Sequence, residues 1–424
     1  LKPEGDKPAS RGAVAWFRRL GPGLITGAAD DDPGGIATHS QVGAAFGFDL
    51  MWTIALTLPL MSAIQSICAR IGRVTGEGLA ANMTRVLPRR VVSLIVLLLF
   101  IANTVNIGAD LAAMGAAAEL VVGGGGTVFA VLFAVVSLLL QIFVPHHRYV
   151  HLLKWLTLSL LAYVGVVFTV SIDWGEVVAG VLRPQVAASR DMLIAVVAIF
   201  GTTISPYMFF WQSAEEVEDE KLAGEGPLLE DPARAPEELN RIAWDTYVGM
   251  GFSSLISFFI VLTTAATLHS AGITDIATSA DAAQALRPIA GEFAFLLFSL
   301  GIIGTGLLAL PVLAGSAAYA VGELRGWRIG LEQKPENATA FYGVVAAAFG
   351  FGLLMLFLPI DPMRALFWSA VLNGVIAVPL MAATMLVVSS GAHLGPFVAP
   401  LGLRITGWVA TAVMGMAALA MLVL

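Results

Sequence analysis

Three consecutive carboxylates, Asp30-Asp31-Asp32, stand directly before Pro33-Gly34-Gly35, inside a stretch that is otherwise apolar from about residue 23 to residue 48. An ionisable side chain near a bilayer midplane costs at least ~2.5–3.5 kcal/mol, so acids there need a polar cavity or a ligand. Pro33 removes a backbone donor and clashes with the preceding turn, and the two glycines loosen the turn after it. A helix interrupted at this point leaves carbonyls and amides open. A second interruption, Thr203-Ile204-Ser205-Pro206-Tyr207, adds a neutral hydroxyl. Asp32 then supplies a hard anionic oxygen, the unwound backbone supplies carbonyls, and Ser205 supplies its hydroxyl. Oxygen donors alone suit Mg²⁺, Ca²⁺ or Mn²⁺, whereas thiolate, thioether and imidazole favour later transition metals. No His, Cys or Met occupies either break; His39 is expected about two helical turns away, and Met208 lies two residues away.

Each residue also has a purely structural reading. Asp32 could cap the half-helix beginning at Pro33, and Ser205 could satisfy the backbone of its own broken helix. Neighbouring helical residues point ~100° apart, so the three acids are not expected to face one ligand. Asp31 either lines the ion path or packs between helices. In the third apolar segment, Asn103, Asn106 and Asp110 share one helix face through their spacings of three and four. That stripe, and the lone Asn373 in the tenth segment, either borders the ion path or forms interhelical hydrogen bonds. The acidic run Glu215, Glu216, Glu218, Asp219, Glu220 reads as a solvated face, an ion collector, or a partner for the basic 70–90 region.

Composition sets the frame that must hold these groups. Of 424 residues, 58% are hydrophobic and 12% charged, with a mean hydropathy of +0.84. Soluble domains carry about 25% charged residues, so this is an all-α polytopic membrane protein with lipid as its main solvent. The net charge of -7 and the lack of a basic cluster interleaved with aromatics argue against nucleic acid. Cys68 is the one cysteine, which allows no internal disulfide and suggests an inert packing residue. Residues 1–20 are polar and basic with no signal-peptide pattern, and are expected to form a cytoplasmic tail before a single transport domain over 21–424. No nucleophile–base or metal–water arrangement is present, so neither an enzyme nor a resident cofactor is expected; a monomer is.

Windows of about twenty apolar residues give eleven expected spans, at about 23–47, 50–69, 91–121, 127–144, 150–171, 192–214, 243–268, 293–320, 341–359, 364–389 and 402–423. With the N-terminus inside, 19 of the 23 basic residues fall on cytoplasmic segments and 4 outside. That bias sets the orientation and places the C-terminus outside. Five spans separate the two breaks, so the broken segments enter the membrane in opposite directions. Interrupted segments in matching positions of two halves point to inverted repeats with a midplane site. Repeat one is expected over about 21–171, repeat two over about 192–389, and an extra helix over about 402–423.

The motifs at both breaks carry a resemblance. Gly21-Pro22-Gly23, then Asp32-Pro33-Gly34-Gly35-Ile36-Ala37-Thr38 with Gln41 and Gly43, resembles the first helix of the Nramp divalent-metal transporters. Gly201-Thr202-Thr203-Ile204-Ser205-Pro206-Tyr207, followed by Ser213-Ala214, is similar to the family's sixth helix, and Asp110-Leu111-Ala112 to its third-helix acidic motif. The resemblance implies a LeuT-type fold, two inverted five-helix repeats with an eleventh helix. It also implies that Asp32 is the carboxylate ligand, with the carbonyls of Ala29 and Thr202 as ligands or acceptors for the ion's water, and Gly35 and Ser205 shaping the site. Asp31, Asp110, Tyr207 and Asn373 are placed near the ion path. Where the family has Asn, Met and His, this chain has Gly35, Ser205 and Tyr207. Ala113 replaces the expected second acid, and the ninth span has no basic residue. Losing the thioether removes soft-ion selectivity, and a smaller residue at 35 suits an ion that keeps part of its water shell, as Mg²⁺ does. This pattern is similar to the Nramp-related magnesium transporters, which implies Mg²⁺ and Mn²⁺ transport at a cell (inner) membrane by alternating access, without proton coupling. The alternatives are a proton-coupled Mn²⁺/Fe²⁺ importer of the same family and a Na⁺-coupled amino-acid transporter of LeuT type.

Overall fold

The structure is a computed structural model that describes Gly27 and residues 29–144, 156–184 and 189–423. No strand occurs among the described residues. The helices are α1 (Pro33–Phe46), α2 (Met51–Thr75), α3 (Leu79–Val86), α4 (Arg89–Val122), α5 (Gly126–Phe143), α6 (Leu161–Val166), α7 (Trp174–Leu182), α8 (Arg190–Thr203) and α9 (Pro206–Leu222). After them come α10 (Ala235–Thr267), α11 (Ser279–Ala283), α12 (Arg287–Ala290), α13 (Ala294–Arg325), α14 (Thr339–Leu354), α15 (Pro362–Val388), α16 (Gly391–Leu394) and α17 (Leu401–Val423). Among the described residues, nine of these stretches are long and apolar enough to cross a membrane. They match every expected span except the first and fifth, whose segments lie partly outside the described residues, as do the 1–20 tail and Gly21-Pro22-Gly23.

Burial separates the core from the lipid-facing rim. The broken pair α8–α9 is 94% buried across its apolar window, whereas α5 and α17 are only 22% and 28% buried. Apolar side chains on an inner helix gain dispersion contacts, while those on the rim face acyl chains that are equally apolar. Packing at the centre therefore depends on small residues that let backbones approach. A Cβ at Gly201 would sit 2.0 Å from the Ala370 carbonyl oxygen, which docks α8 against α15. A Cβ at Gly72 would sit 2.3 Å from the Ser213 carbonyl oxygen, which docks α2 along α9. Larger residues at either position would push the broken helix off its neighbours.

The arginine-rich end of the bundle is tied shut by polar contacts. Buried Arg73 of α2 pairs with Glu220 at 3.6 Å, with Glu238 at 3.2 Å and with Glu225. Arg234 joins Glu225 at 2.5 Å, and Arg241 joins buried Glu216 at 2.5 Å. Leu228 and Leu229 donate backbone hydrogen bonds to the carbonyls of Arg73 and Val74. Two carboxylates of the acidic run after the sixth span, Glu220 and Glu216, are thus tied to α2 and α10, in line with the pairing alternative. On the same end, Glu323 of α13 accepts from the Ala80 and Ala81 N–H groups at 2.9 and 3.2 Å, satisfying the open N-terminus of α3. Cys68 is buried in the packed interior of α2.

Candidate metal centre

Both interruptions fall where Pro33 and Pro206 require them. Ala29 and Asp30 are helical, Asp31 lies in a bend, and Asp32 is extended at φ -69° and ψ 171° before α1 begins at Pro33. Pro is favoured at a first helical position because its missing donor would be unpaired there anyway. Asp32 Oδ1 accepts from the Gly35 N–H at 2.6 Å, so the capping role is real. Its other oxygen faces across the break. There the Tyr207 hydroxyl donates to Asp32 Oδ2 at 3.1 Å and stands 3.3 Å from the Ala29 carbonyl oxygen. The cap and the contact across the break therefore use different oxygens of one carboxylate.

On the facing segment, α8 ends at Thr203, Ile204 and Ser205 are non-helical, and α9 starts at Pro206. The Ser205 hydroxyl donates back to the Gly201 and Thr202 carbonyls, 2.8 Å to each. The reason is local. Pro206 has no N–H to give the Thr202 carbonyl, and the hydroxyl fills that place. This is the backbone-satisfying arrangement that the sequence offered for Ser205, and it leaves lone pairs on the hydroxyl and on the Thr202 carbonyl. Thr202 contributes differently. A Cβ built on Gly35 would lie 3.5 Å from Thr202 Oγ1, 3.5 Å from Asp32 Oδ1 and 3.2 Å from the Asp30 carbonyl oxygen. The missing side chain at 35 thus lets oxygens of both breaks approach one another closely.

The remaining acids are arranged less simply than the helical wheel suggests. Asp30 and Asp31 converge on α10: Ser253 Oγ lies 2.6 Å from Asp30 Oδ2 and 3.1 Å from Asp31 Oδ1. The ~100° divergence fails because the helix ends at Asp30 and the chain bends at Asp31. That contact places Asp31 between helices. Asp110 is buried and keeps one oxygen, Oδ2, without a hydrogen bond. Asn106 donates to Asn373 Oδ1 at 3.1 Å, tying α4 to α15. Asn103 donates to the Leu313 carbonyl at 2.7 Å and to Ser316 Oγ at 2.9 Å, an interhelical bond away from the breaks. His39 lies nearer than expected, its Nδ1 2.8 Å from the Gly35 carbonyl oxygen, one turn along α1. Among the described residues, no three His, Cys, Asp or Glu side chains gather as a metal-binding group.

Sequence reading missed Ser253, His39 and the Thr202 hydroxyl. Ser253, Ser254 and Ser257 recur at helical spacing in the seventh span, a polar signal of the same kind as Asn103-Asn106-Asp110. Access differs between the two ends of the bundle. A cavity of about 510 Å³ opens between α1, α8 and α15, lined by Ala37, Gln41, Asp191, Ala195, Asp275 and Arg364. Its floor at Ala37 lies two residues from Gly35, whereas the opposite end is closed by the ion pairs around Arg73 and Arg241.

Two broken helices that cross at a buried polar centre define a LeuT-type transporter fold in a multi-pass membrane protein. The fold is shared by a crystal structure of a variant of the Eremococcus coleocola manganese transporter, which is 17% identical with a TM-score of 0.77 and covers 98% of this chain and 88% of that one. It also extends to Mhp1, a nucleobase-cation-symport-1 family transporter, at 15% identity and a TM-score of 0.54, over 95% and 91% of the two chains. Residues 23–424 match the family model described as natural resistance-associated macrophage protein-like, Nramp, and the chain belongs to that family. Among curated relatives, the divalent metal cation transporter MntH of Klebsiella pneumoniae (strain 342) is 26% identical over 403 residues, 93% of this chain and 91% of the relative. MntH of Agrobacterium fabrum is 27% identical over 336 residues, 76% and 68% of the two chains.

Proposed function

We propose that this protein carries divalent cations, Mg²⁺ and with it Mn²⁺, across the cell membrane by alternating access and without coupling to protons. The oxygens gathered around Gly35 carry the reading. Asp32 Oδ1, Thr202 Oγ1 and the Asp30 carbonyl surround a position where a side chain is absent. One carboxylate among neutral oxygens suits a hard ion that keeps part of its water shell, and Mg²⁺ sheds water reluctantly. The donors are oxygens, and no thioether or imidazole stands at either break to favour softer ions. Relatives described as divalent metal cation transporters support the substrate class, and none of the comparisons points to an enzyme. The site residues are then Asp32 as the charged ligand, the carbonyls of Ala29 and Thr202 as ligands or water acceptors, and Gly35 and Ser205 as its shape. Asp31, Asp110, Tyr207 and Asn373 border the path. Two inverted repeats, about 21–171 and 192–389, would rock about this centre, with the N-terminus cytoplasmic and the C-terminus outside; a monomer suffices.

A second reading has its own support: a proton-coupled importer of Mn²⁺, the ion named for the Eremococcus coleocola structure. Asp110, a buried carboxyl whose Oδ2 has no hydrogen bond, is the residue such coupling would use. Reconstituted vesicles separate the two. The Mg²⁺ reading expects Mg²⁺ uptake that Mn²⁺ inhibits, with no internal acidification and at least roughly hundredfold loss in Asp32→Asn and Asp32→Ala, each ~3 kcal/mol or more of lost ion stabilisation. Metal-driven acidification, or Mn²⁺ uptake unaffected by excess Mg²⁺, would overturn it.

A further inference from the structure

Outside the ion path, a large cavity with both polar and apolar walls opens on the arginine-rich end, between the first turns of α4, the last turns of α13 and the start of α14. It measures about 890 Å³ and is lined by Arg89, Arg90 and Arg325 with Trp327, Phe100 and Gly343 among its walls, and by no acidic residue. Arg89 Nη2 donates to the Leu324 carbonyl at 3.0 Å and so has a structural task. Arg90 and Arg325 form no ion pair among the described residues, and both are exposed. The walls change character with depth. Arginines sit at the rim, and Leu97 and Phe100 line the groove about 11–16 Å further along α4 at 1.5 Å per residue. Leu97 is 52% exposed, on a surface that faces acyl chains. At Gly343 a Cβ would meet nothing within 4 Å, so the α14 wall leaves room for a chain.

We propose that this groove binds one anionic phospholipid, its phosphodiester headgroup on Arg90 and Arg325 and an acyl chain along Phe100 and Gly343. The chemistry on both sides agrees. Guanidinium groups hold phosphate oxygens through paired, charge-assisted hydrogen bonds. Basic pockets between transmembrane helices on the cytoplasmic side favour anionic headgroups, and Trp327 lies where indole rings settle at the membrane interface. A soluble anion would use the arginines alone and leave the apolar trough unfilled. The bound lipid would brace α4, which carries Asn106 and Asp110, against α13.

Native mass spectrometry in detergent, with added phosphatidylglycerol or phosphatidylcholine, tests the assignment. The wild-type protein is expected to retain phosphatidylglycerol by roughly tenfold or more over phosphatidylcholine, about 1 kcal/mol per arginine near the headgroup. Arg90→Gln/Arg325→Gln should abolish that preference while leaving Arg89 on Leu324. Gly343→Phe, which keeps every arginine, should weaken retention of phosphatidylglycerol by filling the trough, and the melting temperature of each variant without lipid checks folding. Equal retention of both lipids by the wild type, or an unchanged preference in the folded double variant, overturns the proposal. So does displacement of phosphatidylglycerol by millimolar inorganic phosphate, which would mark a small-anion site.

Discussion

The Tyr207 hydroxyl lies 3.1 Å from Asp32 Oδ2, so one hydrogen bond joins the two helix breaks across 175 residues of chain. Both groups are buried, and neither could be held there by its own segment. Removing the hydroxyl in Tyr207→Phe leaves the carboxylate without its distal donor and free to rotate about its cap. Metal affinity is expected to fall about three- to tenfold, about 1 kcal/mol, the size of one net buried hydrogen bond. Isothermal titration of the variant with Mn²⁺ and Mg²⁺ reads it directly.

Gly35 tests the meaning of the close approach of the two breaks. In Gly35→Asn the new Cβ would stand 3.2 Å from the Asp30 carbonyl oxygen, tight enough to need a small backbone shift, and the amide would occupy the oxygen-bounded volume. Mg²⁺ flux is expected to drop at least about tenfold, while Mn²⁺, which accepts a closer and drier ligand set, is carried better than Mg²⁺. Parallel uptake measurements in vesicles show whether the ratio turns over.

Glu323 acts at the arginine-rich end through the backbone groups of α3. Glu323→Ala strips the Ala80 and Ala81 N–H groups of their acceptor. A lost helix cap costs about 1 kcal/mol. Amide exchange over Leu79–Val86 should quicken roughly fivefold, the rate equivalent of that loss, with the outer vestibule unaffected. Exchange at wild-type rates there would show that α3 is held by packing instead.

Acid should loosen the same end. The Arg234 and Arg73 guanidinium groups hold the Glu225 carboxyl below its ordinary value. A folded-state value below the unfolded one means the contribution is complete above the ordinary carboxylate range, about pH 4.3, and is lost as pH falls through the lowered value. Glu225→Gln should therefore melt roughly 2–4 °C lower at pH 7, with the gap to wild type closing as the pH drops below 4. Melting curves across pH 3–8 would show this.

Much of this organisation is legible in the residues themselves. Pro33 and Pro206 cannot continue a helix, so both breaks follow from local chemistry, and the apolar windows locate nine membrane-length helices because lipid demands uninterrupted runs. The acids at 30 and 31 are harder to read. Their direction depends on a bend that no periodicity encodes, and on Ser253, more than two hundred residues away.

The amino-acid order alone therefore determined the spans, the two interruptions and the oxygen-only donor types, because those depend on hydropathy and on backbone chemistry within a few residues. Tertiary structure decided which oxygens are open. Ser205 turns back on the Thr202 carbonyl, Asp32 divides its two oxygens between Gly35 and Tyr207, and Gly35 faces Thr202 Oγ1 across the break. The Ser205 turn and the Asp32 cap are local, but the Tyr207 and Thr202 approaches arise from packing α8 and α9 against α1, and a distance between segments so far apart in the chain is fixed only when the helices meet.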